Sequence, residues 1–355
     1  MKKIVIDYVY KNSYSAFSKA REDVNKIAQT HGFTPFLINT CTIKEQFETP
    51  QSRIVLFFYK LRKLFILFQS IISIKRKTLA LLQYPLAPFG EKFTLFFCRC
   101  LRKKNCHLVI LIHDIDHFRY NQVFGKTEAK ILNSASELIV HTPQMLNLLI
   151  DNDVNQPYRL LWLFDYLTKD VPCKEQHCKR NCVAFAGKLS KSDFLEALKK
   201  VNFDIVRMHL YGNKPDDTAD YPEWMEYMGR FSPENVSALT EEWGLTWDGN
   251  GIEALHGPLG NYLKYNSSHK VSLYIAAGIP VIVSKDSALA EYVEKNKLGI
   301  TISSLLELDH VILNQNKEEF QLIRKSVMEK SEVLRNGGML GSVLDAIVKD
   351  IEGKQ

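Results

Sequence analysis

At 355 residues, with 46% hydrophobic and 24% charged side chains, the chain is globular and too long for one ordinary core, so two domains of roughly 150–180 residues are expected. A net charge of +6 is modest for this size and excludes the dense basic stripe of a nucleic-acid binder. Seven cysteines without a regular framework suit reduced thiols, and Met1-Lys-Lys-Ile-Val-Ile-Asp7 turns acidic too soon for a signal-peptide core, so a cytoplasmic location is expected.

Short β-branched runs alternate with helical stretches. Residues 3–7, 34–38, 78–83, 108–112, 137–140 and 159–164 are the expected strands of a first unit, residues 1–165. Within it, 54–74 is rich in large apolar side chains but is interrupted by Lys60, Arg62 and Lys63 and followed by Lys75-Arg76-Lys77. A spanning helix would place those cations near mid-bilayer at about 2.5–3.5 kcal/mol each, which argues against a transmembrane segment. Residues 54–77 read instead as a basic amphipathic helix, either packed on the core with a cationic outer stripe or lying on the inner face of a membrane as a peripheral contact. The polar stretch 166–182 reads as a linker. It holds Cys173-x4-Cys178-x3-Cys182 with His177 between, a spacing that matches no common zinc knuckle, so these are taken as incidental thiols and no metal site is expected.

The alternation restarts in a second unit, residues 183–337, with strands expected at 183–186, 203–210, 244–247, 280–283 and 299–302. The last fifty residues read as helices broken at Gly337-Gly338, the final one (338–355) returning to the first unit. This β-then-α order implies parallel sheets with right-handed crossovers, hence an α/β fold of two doubly wound, Rossmann-like domains facing across a cleft. Ligands of such sheets bind beyond the carboxyl ends of the strands.

The strand-end loops carry the chemistry. Polar and basic residues, ending in His269-Lys270, stand before a short apolar helix that Gly278 closes and that runs into the buried strand Pro280-Val-Ile-Val283. A helix start exposes N–H groups and the positive end of the dipole, so it favours a phosphate, while a crossover helix with a solvated His-Lys pair is the equally open alternative. Gly187-Lys188-Leu189 leaves a strand through a glycine with backbone donors exposed. Tyr211 offers an aromatic ring to a base, and Asp248-Gly249 a carboxylate to a sugar hydroxyl.

Phe185-Ala-Gly-Lys-Leu-Ser190, Leu245-Thr-Trp-Asp-Gly249, Leu259-Gly-Asn-Tyr-Leu-Lys-Tyr-Asn266, His269-Lys-Val-Ser-Leu-Tyr274 and Ala277-Gly-Ile-Pro-Val-Ile-Val283 together resemble the donor-domain signature of bacterial galactofuranosyltransferases and of the related glucosyltransferase that extends GlcNAc on serine-rich-repeat adhesins. Ser18-Lys-Ala-Arg-Glu-Asp23, Gln83-Tyr-Pro-Leu86 and Ile112-His-Asp-Ile-Asp-His-Phe-Arg119 are similar to the acceptor-domain motifs of that group, whereas residues 51–76 match none.

The resemblance implies a GT-B fold, a UDP-sugar donor on the C-terminal domain, no cofactor or essential metal, and inverting transfer; galactofuranose or glucose moved to a glycan or glycoprotein is the expected activity, and a lipid-linked acceptor would suit the basic apolar segment 54–77. Carried onto this chain, His269 and Lys270 meet the diphosphate with the Gly187-Lys188-Leu189 loop, while Tyr211, Asp248, Gly249 and Asn266 line the uridine and sugar. Lys188 stands where asparagine is more usual. Inversion requires a general base, for which Asp116 and Asp114 are the first candidates and His113 the next. Asn12, Ser13, Ser15 and Arg119 are candidate acceptor contacts. A non-hydrolysing nucleotide-sugar epimerase and a catalytically silent GT-B subunit remain as alternatives, and a homo-oligomer is left open.

Overall fold

The computed structural model describes residues 1–8, 16–39, 53–170, 172, 178–213 and 220–353. Its first sheet contains β1 (Lys3–Tyr8), β2 (Thr34–Ile38), β3 (Leu79–Tyr84), β4 (His107–Ile112), β5 (Glu137–Val140) and β6 (Tyr158–Leu160), in the order β2-β1-β3-β4-β5-β6. The second contains β7 (Lys179–Ala186), β8 (Arg207–Tyr211), β9 (Met225–Gly229), β10 (Glu241–Thr246), β11 (Val281–Ser284) and β12 (Gly299–Ile302), in the order β12-β11-β10-β7-β8-β9. All of these pairings are parallel. Two Rossmann-like domains therefore face each other, the GT-B arrangement.

The alternation of side chains along a strand explains the layers. In the first sheet Ile4, Ile6, Leu82, Leu108 and Ile110 bury one face under Leu67 and Ile71 of the helix Arg53–Ser73 and Phe97 and Leu101 of the helix Gly90–Lys103. Val5, Leu79, Leu81, Val109 and Leu111 bury the other. That second face is covered by Val24, Ile27 and Ala28 of the helix Ala16–Thr30 and by Leu340, Leu344 and Ile347 of the helix Gly338–Glu352. The chain reaches that last helix after the helix Lys317–Arg335, which is tied to the second domain by Arg324 Nη1 donating to Gly278 O (2.9 Å) and Ser331 Oγ to Ala276 O (2.9 Å). Asp165 then accepts the Met339 and Leu340 N–H groups at 3.0 and 2.7 Å, capping the returning helix from the segment that joins the domains.

Several expectations are corrected. Residues 179–182, read as linker, form the start of β7. The strand expected at 159–164 ends at Leu160, and the one expected at 203–210 begins only at Arg207. Strand β9 was not anticipated: Met-Glu-Tyr-Met-Gly is an edge strand with a single fully buried position and no β-branched residue, so its pattern carries little signal. The helix Arg53–Ser73 turns an apolar stripe outward beside the expected cations, with Phe57, Phe65, Phe68 and Ile72 exposed as well as Lys60 and Arg62. Among the described residues, no helix is long and apolar enough to cross a membrane.

In each sheet the strand order reverses at one place, between β1 and β3 in the first and between β7 and β10 in the second. Loops diverge there and open a crevice at the carboxyl ends of the strands.

Candidate active site

A cavity of about 520 Å³ lies over those crevices, lined from both domains. On the second-domain side the helix His269–Ala276 buries Val271, Tyr274 and Ile275, and Ser268 caps its start, its Oγ accepting the Lys270 N–H. The Lys270 side chain crosses the switch point between β7 and β10. Its Nζ is 2.7 Å from Asp248 Oδ2, 3.3 Å from Trp247 O and 5.0 Å from the Phe185 ring centroid. Two glycines keep this crossing thin. A Cβ on Gly187 would stand 3.2 Å from Lys270 Cε, and one on Gly212, at φ +142°, would fall 1.8 Å from Gly187 O.

Most of the donor-side residues read from the sequence converge here: Gly187, Lys188, Tyr211, Asp248, Asn266, His269 and Lys270 all line the cavity. Leu189 does not; it is 3% exposed and belongs to the hydrophobic core. Gly249 does not either. It turns the chain behind Asp248 at φ +94°, where a side chain would meet His256 O at 1.9 Å. Tyr211 is held from below, its hydroxyl donating to Glu241 Oε1 at 2.8 Å, and its ring lies edge-on to Phe231. Glu241 also binds His209 Nδ1 at 2.6 Å and is fully buried. The hydrogen bonds with Cys182 and Glu241 push His209 up to about 9. Burial opposes ionisation of Glu241, but His209 and Tyr211 together hold its carboxyl below the ordinary range.

His269 stacks on Phe164 at 4.4 Å, and Phe164 stacks in turn on His113 of the first domain at 5.2 Å. Burial lowers His269 to about 3, so its imidazole is neutral at physiological pH and brings hydrogen-bonding capacity without charge. Charge comes instead from Arg119, Lys188, Lys191, Arg230 and Lys270, set against Asp114 and Asp248. Such a cationic concavity selects polyanionic ligands. Asn266 Oδ1 and Ser267 Oγ line it too, and both are buried with no hydrogen-bond partner among the described residues. Buried polar atoms of this kind are usually paired, so both retain unused hydrogen-bonding capacity.

On the first-domain side, the loop after β4 brings His113, Asp114 and Arg119 to the cavity. Asp116 is exposed at the start of the short helix Asp116–Arg119 and is not part of the lining, whereas Asp114, the other carboxylate offered by the sequence reading, is. Arg119 Nη1 is 2.8 Å from Asp114 Oδ2. Burial nevertheless raises Asp114 to about 6, against the pull of Arg119 and of a hydrogen bond from Tyr262. His113 Nε2 donates to Gln83 Oε1 at 2.8 Å, and burial holds the ring neutral. Gln83 reaches Asp7 Oδ2 (3.3 Å), and Asp7 holds Arg21 Nη2 at 2.6 Å. Arg21 also donates to Gln83 O at 2.9 Å. The quoted first-domain motifs thus contribute to one buried polar network beneath the loop. Asn12, Ser13 and Ser15 lie outside the described residues.

The sequence reading missed Lys191, Arg230 and Phe231 of the lining. Arg230 follows the unanticipated β9, so the lost strand hid the cation. It also missed Tyr262, at the end of the helix Gly257–Tyr262, which packs into the core of the opposite domain and accepts the Ile115 N–H at 2.9 Å. Tyr265 O and Ser267 N bond Thr142 and His141 nearby, so the two domains are in direct contact.

One carboxylate–histidine group, Glu91, His117 and Glu128, has its ligand-type atoms within 4.8 Å of one another, apart from the cavity lining. Its members bond each other and Tyr84. Of the linker thiols, Cys178 and Cys182 are described, Cys182 beside His209; Cys173 and His177 lie outside the described residues.

Residues 2–162 match the model of the Glucosyltransferase 3-like N-terminal domain, and residues 183–347 that of the Glucosyltransferase 3-like C-terminal domain. The chain is 29% identical to the β-1,6-galactofuranosyltransferase WbbI of Escherichia coli K12 over 284 residues, 79% of this chain and 82% of that protein. It is 26% identical to Glucosyltransferase 3 of Streptococcus gordonii over 269 residues, 73% and 76% of the respective chains. Among solved structures, sucrose-phosphate synthase from Thermosynechococcus elongatus superposes with a TM-score of 0.66 at 13% identity, covering 100% of both chains. HepE of Anabaena, in complex with UDP-glucose, superposes with a TM-score of 0.62 at 13% identity, covering 99% of this chain and 100% of that one. These structural likenesses establish the shared fold.

Proposed function

The chain belongs to the Glucosyltransferase 3-like family, and from that premise we propose that it transfers a hexose, galactofuranose or glucose, from a UDP-sugar to a hydroxyl of a surface glycan, glycoprotein or lipid-linked saccharide. Transfer proceeds in the cytoplasm with inversion and without a metal. The observation that carries this reading is Lys270, held by Asp248 across the β7–β10 switch point inside a cationic cavity.

The physical steps follow from the residues. A diphosphate seated at the start of the helix His269–Ala276 meets oriented amides and Lys270, with Lys188 within the same lining. As the anomeric C–O bond breaks, negative charge grows on the leaving diphosphate, and preorganised cations stabilise that charge more than they stabilise the ground state. Asp248, released from part of its ion pair as Lys270 turns to phosphate, becomes an acceptor for a sugar hydroxyl. Asp114 takes the proton from the attacking hydroxyl. With a pKa near 6 it is ionised at neutral pH yet more basic than an ordinary carboxylate, which suits a general base.

The test is a donor screen of UDP-galactofuranose and UDP-glucose with saccharide acceptors, read by released UDP, with and without EDTA. Acceptor-dependent release that EDTA leaves unchanged is expected. No binding of UDP by calorimetry would sink the reading, and conversion of the UDP-sugar alone to an isomer would assign an epimerase.

A further inference from the structure

The helix Arg53–Ser73 has two apolar faces. One, with Leu67 and Ile71, is buried in the first-sheet core. The other stays in solvent: Phe57, Leu61, Phe65, Phe68 and Ile72 recur at spacings of three and four residues with Phe58 alongside, and their exposures run from 45% at Leu61 to 64% at Ile72. A contiguous exposed stripe of large side chains is the signature of an interaction surface, which scattered apolar residues are not.

The charges around it identify the partner. Between residues 53 and 77 every ionisable acid or base of the Asp, Glu, Lys or Arg type is a cation. Lys60 and Arg62 are exposed, and helical spacing sets one on each border of the stripe; exposed Lys75-Arg76-Lys77 follows its end. We propose that this face seats the protein on an anionic lipid surface, the aromatic stripe entering the boundary between headgroups and acyl chains and the flanking cations meeting lipid phosphates. Pairing of the stripe with a second copy about a twofold axis would instead bring equal sets of cations together without a single acid in the segment to oppose them.

The orientation gives the contact a use. The helix follows β2 and precedes β3 in a parallel sheet, so it runs antiparallel to both, and the end bearing Phe57, Phe58 and Leu61 lies toward the strand carboxyl ends, the side on which the cavity opens. Seated this way, the first domain holds its acceptor loop close to the lipid surface. The docking itself does not depend on the identity of the donor.

Sedimentation of the full-length protein with vesicles tests it. Phosphatidylcholine vesicles containing one-third phosphatidylglycerol should carry the protein down, with at least tenfold weaker binding to phosphatidylcholine alone. The combined Phe58→Gln, Phe65→Gln, Phe68→Gln variant should lose at least tenfold in affinity for the anionic vesicles while keeping its thermal midpoint and UDP affinity, since each of these side chains is more than half exposed. Lys60→Glu with Arg62→Glu should abolish the preference for anionic vesicles without touching the apolar stripe. Wild-type protein that stays in the supernatant, or a triple variant that binds as tightly as wild type, overturns the proposal. So does a wild-type dimer that the triple variant converts to a monomer, which would assign the face to a second copy.

Discussion

The two walls of the cleft are built in different ways. On the donor wall, several groups stand in short loops just after a strand or at the start of a helix: Gly187 and Lys188 after β7, Asp248 after β10, Lys270 in the first turn of its helix. On the acceptor wall, the Asp114 loop rests through its own His113 on Gln83, Asp7 and Arg21, drawn from three separate elements, and is closed by Tyr262 from the other domain. The donor wall works through backbone geometry and exposed cations. The acceptor wall works through buried polar contacts that set the position and proton affinity of one carboxylate, so it depends on the two domains keeping their relative placement.

Substitutions can break this comparison, and the largest effect is expected at the acceptor carboxylate. Asp114→Asn should lower kcat by about 10²–10⁴-fold with UDP affinity unchanged, the size expected for loss of a general base. Near-normal turnover would remove the base from this wall. Next in size is the support of the donor wall. Glu241→Ala strands His209 and Tyr211 in the interior and should destabilise the protein by about 3–5 kcal/mol, measured by urea unfolding. Because pairing raises His209 from 6.5 to about 9, the stabilisation is full below pH 6.5 and is lost as pH climbs through 9. A wild-type stability curve flat across that window would contradict the pairing.

Lys270→Ala should weaken UDP binding by roughly 10- to 150-fold, the range for one charge-assisted hydrogen bond, with little change in folding stability. Unchanged affinity in calorimetry would take Lys270 out of the phosphate site. The smallest effect belongs to the contact between walls. In the free enzyme kcat/KM should rise with pH through about 6 and level above it, following ionisation of Asp114. Tyr262 lowers that pKa through its hydrogen bond, so Tyr262→Phe should move the acid limb to higher pH. A purely structural role for Tyr262 would lower activity without moving the limb.

The contrast between the walls also explains which parts could be read from the chain. The donor wall was legible because strand, glycine and helix start follow one another within a few residues, and seven of the nine residues assigned to it line the cavity. Leu189 and Gly249 fell on the wrong side of the same turns, since neighbours in a loop point in different directions and periodicity does not resolve them. Asp114 and Asp116 are two positions apart in a run of similar chemistry. Their ranking depends on the helix beginning at Asp116, which leaves that residue outside the lining.

By itself the sequence determined the alternation of strands and helices, the two parallel sheets and most of the strand-end loop residues that line the cavity, because burial on both faces and exposed helix amides are local properties of the chain. Only the tertiary structure decided that Arg230 joins the lining from an edge strand, that His269 is a neutral stacking ring, and that Tyr262 reaches Asp114 across the domain boundary. Those outcomes depend on desolvation and on contacts between residues distant in the chain, and no local spacing encodes either.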